Sequence, residues 1–72
     1  MTVNLFSPDD IGRGVAARAR ALRLAAGLTQ QGLAERAGAS LGSLKRFART
    51  GAASLELVVR VAFALRAEGG FG

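Results

Sequence analysis

Three basic side chains, Lys45, Arg46 and Arg49, crowd into one short stretch, and between Arg36 and Arg49 the chain carries four positive charges and no negative one. Their chemistry is the binding of anions. Clustered positive charge attracts a polyphosphate over long range, and an arginine or lysine can also donate to N7 and O6 of guanine. The wider composition leans the same way, with nine arginines and one lysine against five acids and a net charge of +5. Arginines also serve as solvated helix faces, so composition by itself leaves that plainer reading open. Bond-making chemistry is not indicated. There is no histidine, cysteine or tyrosine, and Asp9, Asp10, Glu35, Glu56 and Glu68 stand apart, with no pair placed for acid and base roles. Ligands for a thiolate or imidazole metal site are missing, and no glycine-rich phosphate loop of P-loop or Rossmann type is present. The expectation is a binding module without enzymatic activity, metal or cofactor.

The elements that must hold the basic cluster follow from glycine, proline and apolar spacing. Seventy-two residues allow one domain, 1–72, and a chain this short buries only about 60% of the surface its unfolded form exposes. Alanine and leucine dominate, Pro8 is the only proline, and the glycines sit mostly between apolar periodic segments, so the fold class is all-α with four helices. The first starts at Ser7-Pro8-Asp9-Asp10, a capping serine with proline at the first helical position and acids at the positive end of the dipole, and it ends at Gly27. Ile11, Val15, Ala19, Leu22 and Ala26 share one face of it, with Arg13, Arg20 and Arg23 on the other. Gly12 and Gly14 weaken its first turns by up to about 1 kcal/mol each relative to alanine.

Thr29 caps a second helix through Ala37, and Gly38 supplies the left-handed residue that ends it. Ser40 caps a third, which runs to about Thr50 and stops at Gly51. Ser54 caps a fourth, which runs to about Ala67 ahead of Gly69-Gly70. Residues 1–6, with Val3, Leu5 and Phe6, read as a short strand, a hydrophobic staple or a loose tail; a lone strand has nothing to pair with in a monomer, which favours the other two. Residues 68–72 read as a loose tail as well. The first residues lack the basic start and long apolar stretch of a signal peptide, and no run reaches the roughly 20 apolar residues of a membrane span. The expectation is a cytoplasmic chain with no membrane partner.

Numbered from Gln30, a twenty-residue window to Arg49 puts alanine fifth (Ala34), glycine ninth (Gly38), and apolar residues fourth, eighth, tenth, fifteenth and eighteenth (Leu33, Ala37, Ala39, Leu44, Phe47). This is the helix-turn-helix pattern, over about residues 29–50. Two helices crossing steeply need a small residue where their backbones approach, which is Ala34, and the sharp turn needs a residue tolerant of positive φ, which is Gly38. Leu33, Ala37, Leu44 and Phe47 point into the shared wedge and hold the second helix outward, where it can enter a major groove. The plainer alternative is two short helices joined by a glycine, with the apolar positions serving only a core.

The stretch RALRLAAGLTQQGLAERAGASLGSLKRFARTG resembles the Cro/C1-type (XRE) family of repressors over about residues 16–66, most strongly in GLTQQGLAERAGAS. Within that family, SLGSLKRF followed by arginine, threonine and glycine is similar to small HipB-like antitoxins, which are often paired with a HipA-type kinase toxin. The resemblance implies a compact lambda-repressor-like domain of four to five helices that binds double-stranded DNA through the major groove. Gln30 matches the glutamine that contacts a phosphate from a helix N-terminus, with Gln31 beside it. Ser40, Leu41, Gly42, Ser43, Lys45 and Arg46 match the recognition helix and its cap, with Leu41 set against a thymine methyl and Ser40 mainly a cap. Arg49 and Arg36 are phosphate contacts or solvated charges. In many relatives a glutamate after the residue at Phe47 pairs with an arginine at Arg23; here that position is Ala48, so the brace is absent and the expectation is that Arg23 faces phosphate or solvent instead.

The fourth helix, SLELVVRVAFALRA, is too apolar for one buried face. Leu55, Val58, Ala62 and Leu65 form a stripe for the core, while Leu57, Val61 and Ala64 lie well round the helix and Val59 and Phe63 extend the other edge. Either the helix is wrapped by the other three, or Leu57, Val61 and Phe63 form a self-association surface. The expected function is a DNA-binding regulator, a repressor acting as a homodimer on a palindromic operator. The alternative is an antitoxin-type interaction module that neutralises a HipA-like toxin, with DNA binding secondary. A membrane-active cationic helix ranks last, because Arg18 sits beside the apolar face of the first helix.

Overall fold

The computed structural model describes residues 7–69, and these form four α-helices with no strand: α1 Pro8–Ala25, α2 Gln30–Ala37, α3 Leu41–Thr50 and α4 Leu55–Gly69. The all-α fold of four helices is therefore as expected, except that α4 runs past Ala67 to Gly69. The readings placed on residues 1–6 and on the last three residues lie outside the described chain.

Helix starts follow local hydrogen-bond chemistry. Ser7 and Asp10 form a reciprocal capping box, with Pro8 at the first helical position. The Asp10 carboxylate is held below the ordinary carboxyl range first by the backbone N–H of Ser7 and then by Arg13 at 2.7 Å. Its small contribution to the start of α1 is therefore complete above the ordinary carboxyl range and lost as pH falls through the lowered value. Thr29, Ser40 and Ser54 each accept the backbone N–H three residues on, at 2.9, 3.1 and 3.1 Å.

Helix ends use glycine where the chain must turn left-handed. Gly27, Gly38 and Gly51 have φ of 72°, 66° and 80°, each just past the end of a helix. At Gly38 the N–H donates to the Glu35 carbonyl while that of Ala39 donates to Ala34, the paired bonds of a Schellman stop.

The main contacts run α1 to α3 and α4, and α2 to α3 and α4. Where they meet, Ala16, Leu33, Ala34, Ala37, Leu44, Phe47, Leu57, Val61, Ala64 and Leu65 form one buried cluster. The expected wedge residues Leu33, Ala37, Leu44 and Phe47 all belong to it.

Two expected faces are rotated. On α1 the buried residue is Ala16; Ala19 and Leu22 are partly buried, but Ile11 and Val15 are exposed. The cause is a close approach that only glycine permits. A Cβ on Gly12 would meet the Gly51 carbonyl oxygen at 2.6 Å, and one on Gly51 would meet the Arg13 nitrogen at 2.5 Å. This contact turns the Gly12–Ala16–Ala19–Arg23 face of α1 toward α3, since at 3.6 residues per turn these four share one side, and it leaves Ile11 and Val15 at the rim.

On α4 the core stripe is Leu57, Val61, Ala64 and Leu65, whereas Leu55 and Ala62 are exposed. Leu57 and Val61 are thus core residues, 9% and 2% exposed, and not the association surface they were expected to form. A helix apolar nearly all round offers two stripes, and the positions of α1 and α2 decide which is covered. Phe63 lies outside, 74% exposed, and with Leu55 and Val59 it makes a second apolar stripe on the far side of α4.

Candidate nucleic-acid interface

The wedge fixes which way α3 looks. Leu44 and Phe47 are buried against α1 and α2, and the helical period then sends Gly42 and Arg49 to the opposite side, with Lys45 and Arg46 flanking them about 100° apart. All four residues are exposed. An added Cβ at Gly42 would meet nothing within 4 Å, so the backbone there is open to close approach. Ser40 stays a cap: its hydroxyl accepts the Ser43 N–H and donates to the Ser43 hydroxyl at 2.8 Å. Leu41 is only partly exposed and packs on the core, which limits what it offers to a thymine methyl.

No carboxylate among the described residues pairs with Lys45, Arg46 or Arg49. The ion pairs found there are Arg13 with Asp10 and Arg60 with Glu56, and neither includes a residue of α3. Exposed and without a carboxylate partner among the described residues, Lys45 and Arg49 direct their field toward solvent, while Arg46 shares its flank of α3 with Glu56.

The two flanks of α3 differ. Toward α1, a cleft of about 270 Å³ gathers Lys45 and Arg49 with Arg20, Arg23 and Gln30. Toward the start of α4, a groove of about 450 Å³ gathers Arg46 and Ser43 with Glu56 and Arg60. Lys45 and Arg46 thus line different flanks of the same exposed face.

No family model matches the chain. Nor does any curated protein or solved structure.

Gln30, the first residue of α2, lines the same cleft as Lys45. Gln31 does not join it; its amide donates to Glu35 at 3.1 Å, next to a negative charge that repels phosphate. Arg36 donates to the Gly32 carbonyl one turn back in its own helix.

Arg20 is the addition that sequence spacing missed, and Arg23, expected to face phosphate or solvent once Ala48 removes its acidic partner, lines the same cleft. Arg23 is partly buried, and its guanidinium donates to the Leu28 carbonyl at 2.6 Å, while the Leu28 N–H donates back to the Arg23 carbonyl at 3.0 Å. With Ala48 in place of an acid, Arg23 braces the α1–α2 turn. The sequence signal for Arg20 was its three-residue spacing from Arg23 on α1, which places both on one side of that helix.

Proposed function

We propose that this chain is a sequence-specific DNA-binding regulator of the XRE helix-turn-helix type, acting as a cytoplasmic homodimer that represses by occupying a palindromic operator. The observation that carries this reading is the outward face of α3. Gly42, Lys45, Arg46 and Arg49 stand exposed there, without a paired carboxylate among the described residues, on a helix anchored by Leu44 and Phe47. In this reading α3 lies in the major groove, Lys45 or Arg46 donates to guanine, and Arg49 and Gln30 hold phosphates. Leu55, Val59 and Phe63 on the outer side of α4 support a second copy as partner, since an exposed apolar stripe favours association. A two-fold pair then sets two copies of α3 about 34 Å apart, one helical turn of DNA.

The same apolar stripe also favours the second reading, an antitoxin-type module whose partner on α4 is a HipA-like toxin and whose DNA binding is autoregulatory. The two readings differ in what α3 must do.

The test is selection of bound fragments from genomic DNA by the purified protein, followed by anisotropy titrations. Lys45→Ala with Arg46→Ala is expected to weaken binding to the selected site by about tenfold or more, as loss of a base contact costs about 1–3 kcal/mol. Affinity should also fall steeply with salt, through counterion release. Unchanged affinity in a variant whose helical circular dichroism is intact rejects the assigned face.

A further inference from the structure

The cleft between α1 and α3 has a composition that a DNA phosphate alone does not call for. Its floor is apolar, made by Ala16, Ala19 and Leu44, and its rim is cationic, made by Arg20, Arg23, Lys45 and Arg49, with no acid among the lining residues. We propose that this cleft is a binding site for a small organic anion with an apolar body, such as an aromatic or branched carboxylate.

Three observations favour such a ligand. The volume, about 270 Å³, lies near the small end of small-molecule sites, which suits a compact acid and excludes a large cofactor. Arg23 is partly buried and already fixed by its bond to the Leu28 carbonyl, so a cation stands oriented before any ligand arrives. Removing a guanidinium from water without a counter-charge is costly, and a bound carboxylate relieves that cost through a charge-assisted hydrogen bond. Ala48 at the edge of the cleft leaves open the space a longer side chain would fill. The apolar floor then separates an amphiphilic anion from inorganic phosphate.

Gln30 and Lys45 line the same cleft, so an occupant there competes with DNA. That consequence rests on the proposed function; the binding itself is read on the protein alone, so failure of one is distinguishable from failure of the other.

The test is titration of the full chain with 1-naphthoate, followed by calorimetry and by NMR of the alanine methyls. Saturable binding is expected, with the largest shifts at Ala16, Ala19 and Ala48, and with affinity about tenfold above that for neutral 1-naphthalenemethanol or for inorganic phosphate. Ala48→Glu sets a carboxylate among the four cations and fills the space, and should abolish binding. Arg20→Gln, at an exposed position, should weaken it severalfold and covers the case in which the first variant does not fold. The proposal is overturned by absence of saturable binding, by equal affinity for the alcohol or for phosphate, by shifts centred elsewhere, or by undiminished binding in a folded Ala48→Glu or Arg20→Gln protein.

Discussion

The α2–α3 wedge is closed, while the side of the molecule formed by α1 and α4 is open. In the wedge, Leu33, Ala34, Ala37, Leu44 and Phe47 are each no more than 5% exposed. Across the molecule, Ile11, Val15, Val59 and Phe63 stand largely in solvent, and a groove of about 380 Å³ between α1 and α4 is lined by Val15, Leu22, Val58 and Ala62. Both regions are apolar in composition, so hydrophobicity does not separate them. Depth of burial does. Ala34 and Ala37, beside the left-handed Gly38, are buried with Leu33, Leu44 and Phe47 where α2 and α3 meet, whereas Val15 and Val58, with the smaller Gly14 and Ala62, line an open groove between α1 and α4. A closed wedge holds a basic face steady; an open apolar side leaves surface for another molecule.

The largest effect is expected where the two regions touch. Phe47 is 2% exposed in the wedge, and its far edge lines the α1–α4 groove. Phe47→Ala should cost about 3–5 kcal/mol, which leaves a domain of this size mostly unfolded. Urea denaturation followed by circular dichroism measures it. A loss below about 1 kcal/mol means the wedge is looser than its burial implies.

Next come two glycines two residues apart in α1, which should respond with opposite signs. Gly12→Ala gains helix propensity but drives a Cβ to 2.6 Å from the Gly51 carbonyl oxygen, a backbone atom that cannot rotate aside. The net result should be a loss of about 1–3 kcal/mol, as for other overpacked contacts. Gly14→Ala meets nothing within 4 Å and should stabilise by about 0.5–1 kcal/mol. Thermal melts of both variants at one concentration decide the matter. Equal gains in the two would show that the α1–α3 approach is not a fixed contact.

These glycines also mark how far the chain can be read before its fold is known. Stops at Gly27, Gly38 and Gly51, and caps at Ser7, Thr29, Ser40 and Ser54, were legible because each is settled within a few residues by hydrogen bonds and sterics. The outward face of α3 was legible for a related reason, since Leu44 and Phe47 define its opposite. Which sides of α1 and α4 are buried was not, because both helices carry apolar residues on more than one side, and the choice depends on Gly12 meeting Gly51 from a distant part of the chain. The same distance hid Arg20, and it hid that Arg23, expected to face phosphate or solvent, would share a cleft with it. They join Lys45 and Arg49 only once α1 lies along α3, and Gly12 read as a local weakness until the helix it touches was in place.

The smallest effect on the folded monomer, and the sharpest for the open side, is expected at Phe63. Its ring is 74% exposed, with Leu55 and Val59 on the same side of α4, while Leu57 and Val61 are committed to the core opposite. Removing an exposed ring takes away little that the monomer uses, so Phe63→Ser should change unfolding free energy by less than about 0.5 kcal/mol when measured at high dilution. Association should respond quite differently. If the stripe is where a second copy sits, its one aromatic ring carries a large share of the contact, and sedimentation velocity should show the variant as monomer at concentrations where the parent chain pairs. DNA affinity should then fall through loss of the paired half-site rather than through α3, leaving salt dependence per monomer unaltered. Pairing that survives Phe63→Ser assigns the interface to the groove beside Ile11 and Val15, and there Val15→Ser becomes the substitution that separates the copies.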